Sequence, residues 1–183
     1  MNKNLKRYVA APVGFALVIV FAYFANLIIP IEFNNFGLRP RSIEGLIGIP
    51  LVVFLHGNLG HLMSNIIPLL ILGLLLRSYG NAYFARVTIS LTLLSGFLTW
   101  LASPSSLIVG ASGLVFAYFS YLITKAVKQK TPLTILIAFV VITMYGYLFF
   151  SLARVQHGVS WTGHACGFIS GIILALYGPK KSL

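Results

Sequence analysis

Aspartate is absent from the chain, and its only acids are Glu32 and Glu44. A catalytic triad or a metal site built on carboxylates buried in a membrane is therefore excluded. The one cysteine, Cys166, has no partner for an intrachain disulfide, and within an apolar run it reads as a small hydrophobic residue. Charge of either sign is scarce: 8% of residues are charged and 58% hydrophobic, in runs too long and unbroken for a soluble core. That pattern defines a polytopic membrane protein. The net charge of +11 would point to nucleic acid in a soluble protein. Here the basic residues sit at the ends of apolar runs and form no patch, so they report topology and no nucleic-acid partner is expected.

Apolar runs between punctuating residues predict an all-α protein of six transmembrane helices, with spans near 8–29, 60–76, 83–102, 112–125, 132–150 and 161–178. No repeat of fixed period is present, so 1–183 is read as one domain. The first run follows Lys3, Lys6 and Arg7. It is too long for the apolar region of a secretory signal and has no small-residue cleavage site. With the N-terminus in the cytoplasm, ten basic residues fall on the inner ends of the spans, and only Arg39, Arg41 and Arg154 on the outer ends. This bias places both termini in the cytoplasm and the long 30–59 connection outside. Its 43–55 stretch is apolar but interrupted, which predicts a segment half-immersed in the outer leaflet.

The fourth span is short, thirteen steps from Ser112 to Lys125, or about 20 Å against a hydrocarbon core of about 30 Å. Ser112 is therefore expected to begin its helix below the outer surface. The same ruler sets His61 and Asn65 about 24 and 18 Å from Arg77, and His164 about 24 Å from Lys180. All four polar residues fall in one layer, while the inner half is left without a comparable polar track. His61 and Asn65, four residues apart, share a helix face. Each alone reads equally well as hydrogen-bonding glue between helices, but four at one depth define a candidate site. Gly167 and Gly171 form a GxxxG near the face of His164 and permit close approach of a neighbouring helix.

Such a constellation can carry acyl transfer. Serine is a weak nucleophile until a base within reach takes its proton, which His164 can do without an acid behind it. His61, Asn65 and the Ser112 backbone N–H can then donate to a developing oxyanion, aided by the helix dipole.

Three motifs in order resemble those of the rhomboid intramembrane serine proteases, over nearly the whole chain, in their bacterial six-helix core form. His56-Gly57-Asn58-Leu59-Gly60-His61-Leu62-Met63-Ser64-Asn65 is similar to the family's HxxxxHxxxN. Gly110-Ala111-Ser112-Gly113 resembles its GxSG, and the stretch from His164 through Gly167 to Gly171 its HxxGxxxG. The resemblance implies Ser112 as nucleophile, His164 as general base and then acid, His61 and Asn65 as oxyanion donors, and His56 as a structural residue of the cavity. It further implies cleavage of single-pass transmembrane substrates that enter laterally past the fifth helix, with membrane lipid as the surroundings. Many relatives carry a Trp-Arg pair in the first loop; this loop has no Trp and offers Gly37-Leu38-Arg39-Pro40-Arg41. Four residues after the nucleophile, where some relatives have Tyr packed on the catalytic His, stands Phe116, which keeps the stacking and loses the hydroxyl.

Two other readings remain: a catalytically inactive relative that binds transmembrane clients, and a small transporter lined by these polar residues. A metalloprotease lacks both HExxH and a carboxylate base, so no metal or cofactor is expected. His157 is read as a solvated residue of the last outer connection. Composition and charge bias fit a bacterial cytoplasmic membrane, and the lack of an appended soluble domain predicts a minimal core.

Overall fold

The computed structural model of the chain describes residues 3–104, 106–151 and 160–179, so His157 and Arg154 lie outside the described residues. The architecture is all-α: α1 (Lys3–Ile28), the short α2 (Gly48–Leu51), α3 (Leu59–Arg77), α4 (Asn81–Ala102), α5 (Ser112–Gln129), α6 (Pro132–Tyr145), α7 (Tyr147–Ser151) and α8 (Trp161–Tyr177). Three of these are long and apolar enough to cross a membrane: Tyr8–Ile28 within α1, α3 and α4. Large apolar side chains such as Phe21, Ile28, Phe139 and Phe150 point outward, as they must where the surroundings are lipid and not water.

Helix α5 is the central element. Every residue from Leu114 to Leu122 is buried, and α8, α4, α3 and α6 pack around it, α8 most extensively. Close approach of α5 and α8 follows from glycine. A Cβ on Gly167 would overlap the Gly113 carbonyl, and one on Gly171 would overlap Ser120 Oγ and the Ala117 carbonyl. Without side chains there, the two backbones touch and gain dispersion contact along several turns.

Two span boundaries differ from those expected. Helix α5 continues past Lys125 to Gln129, giving 18 residues and about 27 Å. Lys125, the expected inner end of that span, is only 4% exposed and lies over the rings of Tyr79 and Tyr83, 5.7 and 5.8 Å from their centroids. The helix is therefore longer than the short fourth span expected, and Leu38, Val52 and Val53 of the 37–55 segment line a cavity at its head. The expected 132–150 span is divided into α6 and α7 by a turn at Gly146, whose backbone stays in the right-handed helical region and whose N–H still bonds the Ile142 carbonyl. The start of α6 is fixed by a reciprocal cap between Thr131 and Thr134 with Pro132 just inside.

The half of the bundle remote from His61 is also more polar than expected. Tyr83 and Tyr121 share a 2.5 Å hydrogen bond, and Thr88 and Tyr118 one of 2.6 Å. These hydroxyls pair with one another inside the packing, which satisfies them without opening a path.

The 30–59 connection is folded against the bundle. Leu38 and Ile108 exchange two backbone hydrogen bonds of 2.9 Å. Arg41 donates to the carbonyls of Leu101 and Ser103 at the end of α4, where unpaired carbonyls concentrate. The indole N–H of Trp100, from α4, donates to the Ser42 carbonyl at 3.0 Å. A tryptophan and an arginine thus anchor this loop, with the tryptophan supplied by the facing helix. Residues Glu44–Phe54 form consecutive short helical turns that pack on α4 and α1, the last of them also meeting the turn into α5.

Candidate active site

The polypeptide enters α5 through a tight turn at Gly110, with φ at +122°, a conformation L side chains rarely adopt. The turn is held from two sides. Gly110 N–H donates to the Val52 carbonyl at 2.9 Å, and Ala111 N–H to His56 Nε2 at 3.4 Å. Burial, then the neighbouring His61, pushes His56 down to about 4, so it is a neutral imidazole able to accept that bond. Its Nδ1 is buried and has no hydrogen-bond partner among the described residues. His56 therefore supports the backbone immediately before Ser112.

Helix α3 starts at an asparagine cap: Asn58 Oδ1 accepts from the His61 N–H at 2.8 Å. That cap aims the first turn, and His61 packs directly on Gly110. A Cβ at Gly110 would sit 2.6 Å from His61 Nε2 and 2.7 Å from Cε1. Only a residue without a side chain brings this ring to the Ser112 turn. Gly110→Ala is expected to lower turnover by about 10²- to 10³-fold, by displacing His61 and straining the backbone. Cleavage and active-site labelling rates check this, and a wild-type rate would detach His61 from the site. Asn65, buried one turn on, donates to the His61 carbonyl at 2.7 Å with one of its two amide N–H groups.

A cavity of about 410 Å³ opens here, lined among others by Asn58, His61, Gly110, Ser112, Gly113 and Ser160. Asn65 and His164 do not line it. His164 stands behind, its ring stacked on Phe116 with centroids 4.3 Å apart and planes at 18°. The Phe116 hydroxyl-free ring thus keeps the stacking expected of it. The turns carrying the two groups touch: Gly113 faces the Gly163 carbonyl, and Gly167 faces Gly113. Among the described residues no hydrogen bond joins Ser112 Oγ to His164. Catalytic hydrogen bonds are often long without substrate and tighten in the complex. Ala111 supplies no side-chain cap, and Ser112, Gly113 and Leu114 of the first turn of α5, where a helix leaves N–H groups unpaired, line the cavity.

Asn58, Ser160, Ser95 and Thr99 also line the cavity and were not singled out in the sequence. Asn58 and Ser160 each cap a helix that delivers a histidine, and cap spacing was the available signal. Ser95 and Thr99 lie four apart on the inward face of α4, with no sequence feature to tie them to Ser112.

An all-α integral membrane protein with a serine at the head of its central helix, beside two histidines from flanking helices, is the class this geometry defines. Residues 44–181 match the Rhomboid domain family. Uncharacterized proteins of Mycobacterium tuberculosis and Mycobacterium bovis are 35% identical over 157 residues, covering 79% of this chain and 65% of their own length. The chain thus spans just under two thirds of those relatives. A protein of Acanthamoeba polyphaga mimivirus named as a rhomboid protein is 30% identical over 178 residues, covering 94% of this chain and 92% of that one. The chain belongs to the rhomboid family, whose members are generally intramembrane serine proteases.

Proposed function

We propose that the chain is an intramembrane serine endopeptidase working through Ser112 and His164. The observation that carries this reading is the placement of Ser112 at the free N-terminal end of α5, on a cavity it shares with His61, with the His164 turn packed against its own. Ser112 Oγ attacks the scissile carbonyl while His164 takes its proton. Charge on the carbonyl oxygen is met by the Ser112 N–H and His61, which line the cavity, and by the second amide N–H of Asn65, one turn beyond His61 and outside the cavity lining. His164 then protonates the leaving amine, and water, activated by the same imidazole, releases the acyl group and restores Ser112. His56 and Phe116 hold the turn and the imidazole in place, and Gly110, Gly113, Gly167 and Gly171 allow the three helices to converge.

Six spans, both termini in the cytoplasm and a bacterial cytoplasmic membrane complete the reading, and the cavity then lies toward the outer side. The substrates are single-pass transmembrane proteins reaching the cavity past α6 from the surrounding lipid. Asn65→Ala is expected to slow cleavage by about 10- to 1000-fold, because one of several donors is lost. An unchanged rate removes Asn65 from the oxyanion site. The deciding experiment is labelling of detergent-purified protein with a fluorescent fluorophosphonate, alongside cleavage of a transmembrane test substrate. Labelling of the wild type, absent in Ser112→Ala and His164→Ala, supports the dyad. The absence of a Ser112–His164 hydrogen bond among the described residues favours a second reading, a client-binding protein without turnover, and a folded wild type that neither labels nor cuts would move that reading, or the transport one, to first place.

A further inference from the structure

The contact between α5 and α8 presents a mechanical difficulty. Gly113 on one helix meets Gly163 and Gly167 on the other, and Gly171 meets Ser120 and Ala117. Glycine surfaces bring backbones close but offer no knobs, so packing of this kind resists sliding along the axis only weakly. One residue of slip is about 1.5 Å, and a misplacement of about 1 Å between reacting groups can cost on the order of a hundredfold in rate. Something directional has to set the register.

Ser120 is placed to do so. It is buried, and its hydroxyl is within 2.7 Å of the Phe168 carbonyl on α8. A serine inside a helix ordinarily bonds back to its own helix, and here the Ala117 carbonyl is the longer contact, at 3.3 Å. Ser120 lies one turn beyond Phe116 on α5, and Phe168 lies one turn beyond His164 on α8. The two helices are thus joined by consecutive rungs, the Phe116–His164 stack of 4.3 Å and the Ser120–Phe168 hydrogen bond. A stack tolerates sliding of one ring over another; the hydrogen bond does not.

We propose that Ser120 is a positioning residue that sets the axial register of His164 relative to Ser112. The proposal rests on the protease reading above. Ser120→Ala leaves no orphaned group, since the Phe168 carbonyl keeps the bond of its own helix, and the helices remain close through their glycines. The variant is therefore expected to fold with an unchanged unfolding midpoint. Its kcat and its fluorophosphonate labelling rate fall together by about tenfold, with KM unchanged, because the hydroxyl touches no substrate. Ser170→Ala is the control: its hydroxyl, equally buried, bonds within α8 to the Cys166 carbonyl and, among the described residues, to no other helix. It is expected to keep wild-type kcat.

The test measures kcat, KM, labelling rate and unfolding midpoint for wild type, Ser120→Ala and Ser170→Ala. A wild-type kcat in Ser120→Ala overturns the proposal and leaves the protease reading intact. So does a loss that tracks a lowered unfolding midpoint, or an equal loss in Ser170→Ala, either of which assigns the hydroxyl to stability alone. A wild type that neither labels nor cleaves removes the protease reading, and the positioning role with it.

Discussion

Replacing Ser112 by alanine is expected to reduce proteolysis by about 10⁴-fold or more, to the background of the assay, and His164→Ala is expected to do the same. Nucleophile and base act as one unit, because a neutral serine hydroxyl without a proton acceptor is nearly inert and an imidazole without the hydroxyl has nothing to activate. The double variant should therefore be no worse than either single one. Fold is expected to survive in both. The Ser112 hydroxyl makes no hydrogen bond among the described residues, and the preceding Ala111 shows that this helix starts without a side-chain cap. Loss of that hydroxyl should shift stability by no more than about 0.5 kcal/mol. Cleavage of a transmembrane test substrate and fluorophosphonate labelling both read the effect. Residual cleavage in both single variants would remove the dyad.

Gly171→Leu is expected to abolish activity by a different route. A Cβ at this position would overlap Ser120 Oγ and the Ala117 carbonyl and come within 2.9 Å of the Tyr121 nitrogen. Two of these atoms are backbone, so no rotamer change relieves the overlap, and α5 and α8 must move apart. Separation breaks the Ser120–Phe168 bond and withdraws His164 from the Ser112 turn, while overpacking costs about 1–3 kcal/mol of stability. Gly14→Leu is the matching control: nothing lies within 4 Å of a Cβ there, and the variant should be active and stable. Full activity in Gly171→Leu would mean that the contact supporting the dyad lies elsewhere.

The polar residues stand out in the sequence because the rest of the chain is so apolar. His61, Asn65, Ser112 and His164 are conspicuous at helical spacings within apolar runs, and the GxxxG beside His164 marks a face for close packing. The surroundings of the charges were less legible: Lys125, expected at the inner end of a span, has its charge over two tyrosine rings from α4 and the turn before it, contacts remote in sequence that no local pattern encodes. The loop anchor was illegible for the same reason: Arg41 and Trp100 are separated by nearly sixty residues, and only folding brings Trp100 to the Ser42 carbonyl.

By itself, the sequence determined that this protein is helical and built for a membrane, and which polar side chains stand out within its apolar runs, because hydrophobic run length and isolated polar residues are local properties of a chain. Tertiary structure alone decided that His61 fills the space a Gly110 side chain would need, that Phe116 covers His164, and that Ser120 reaches the Phe168 carbonyl. Those are relations between helices, set by how closely glycine lets two backbones approach and by which hydrogen bonds remain to be satisfied once they do.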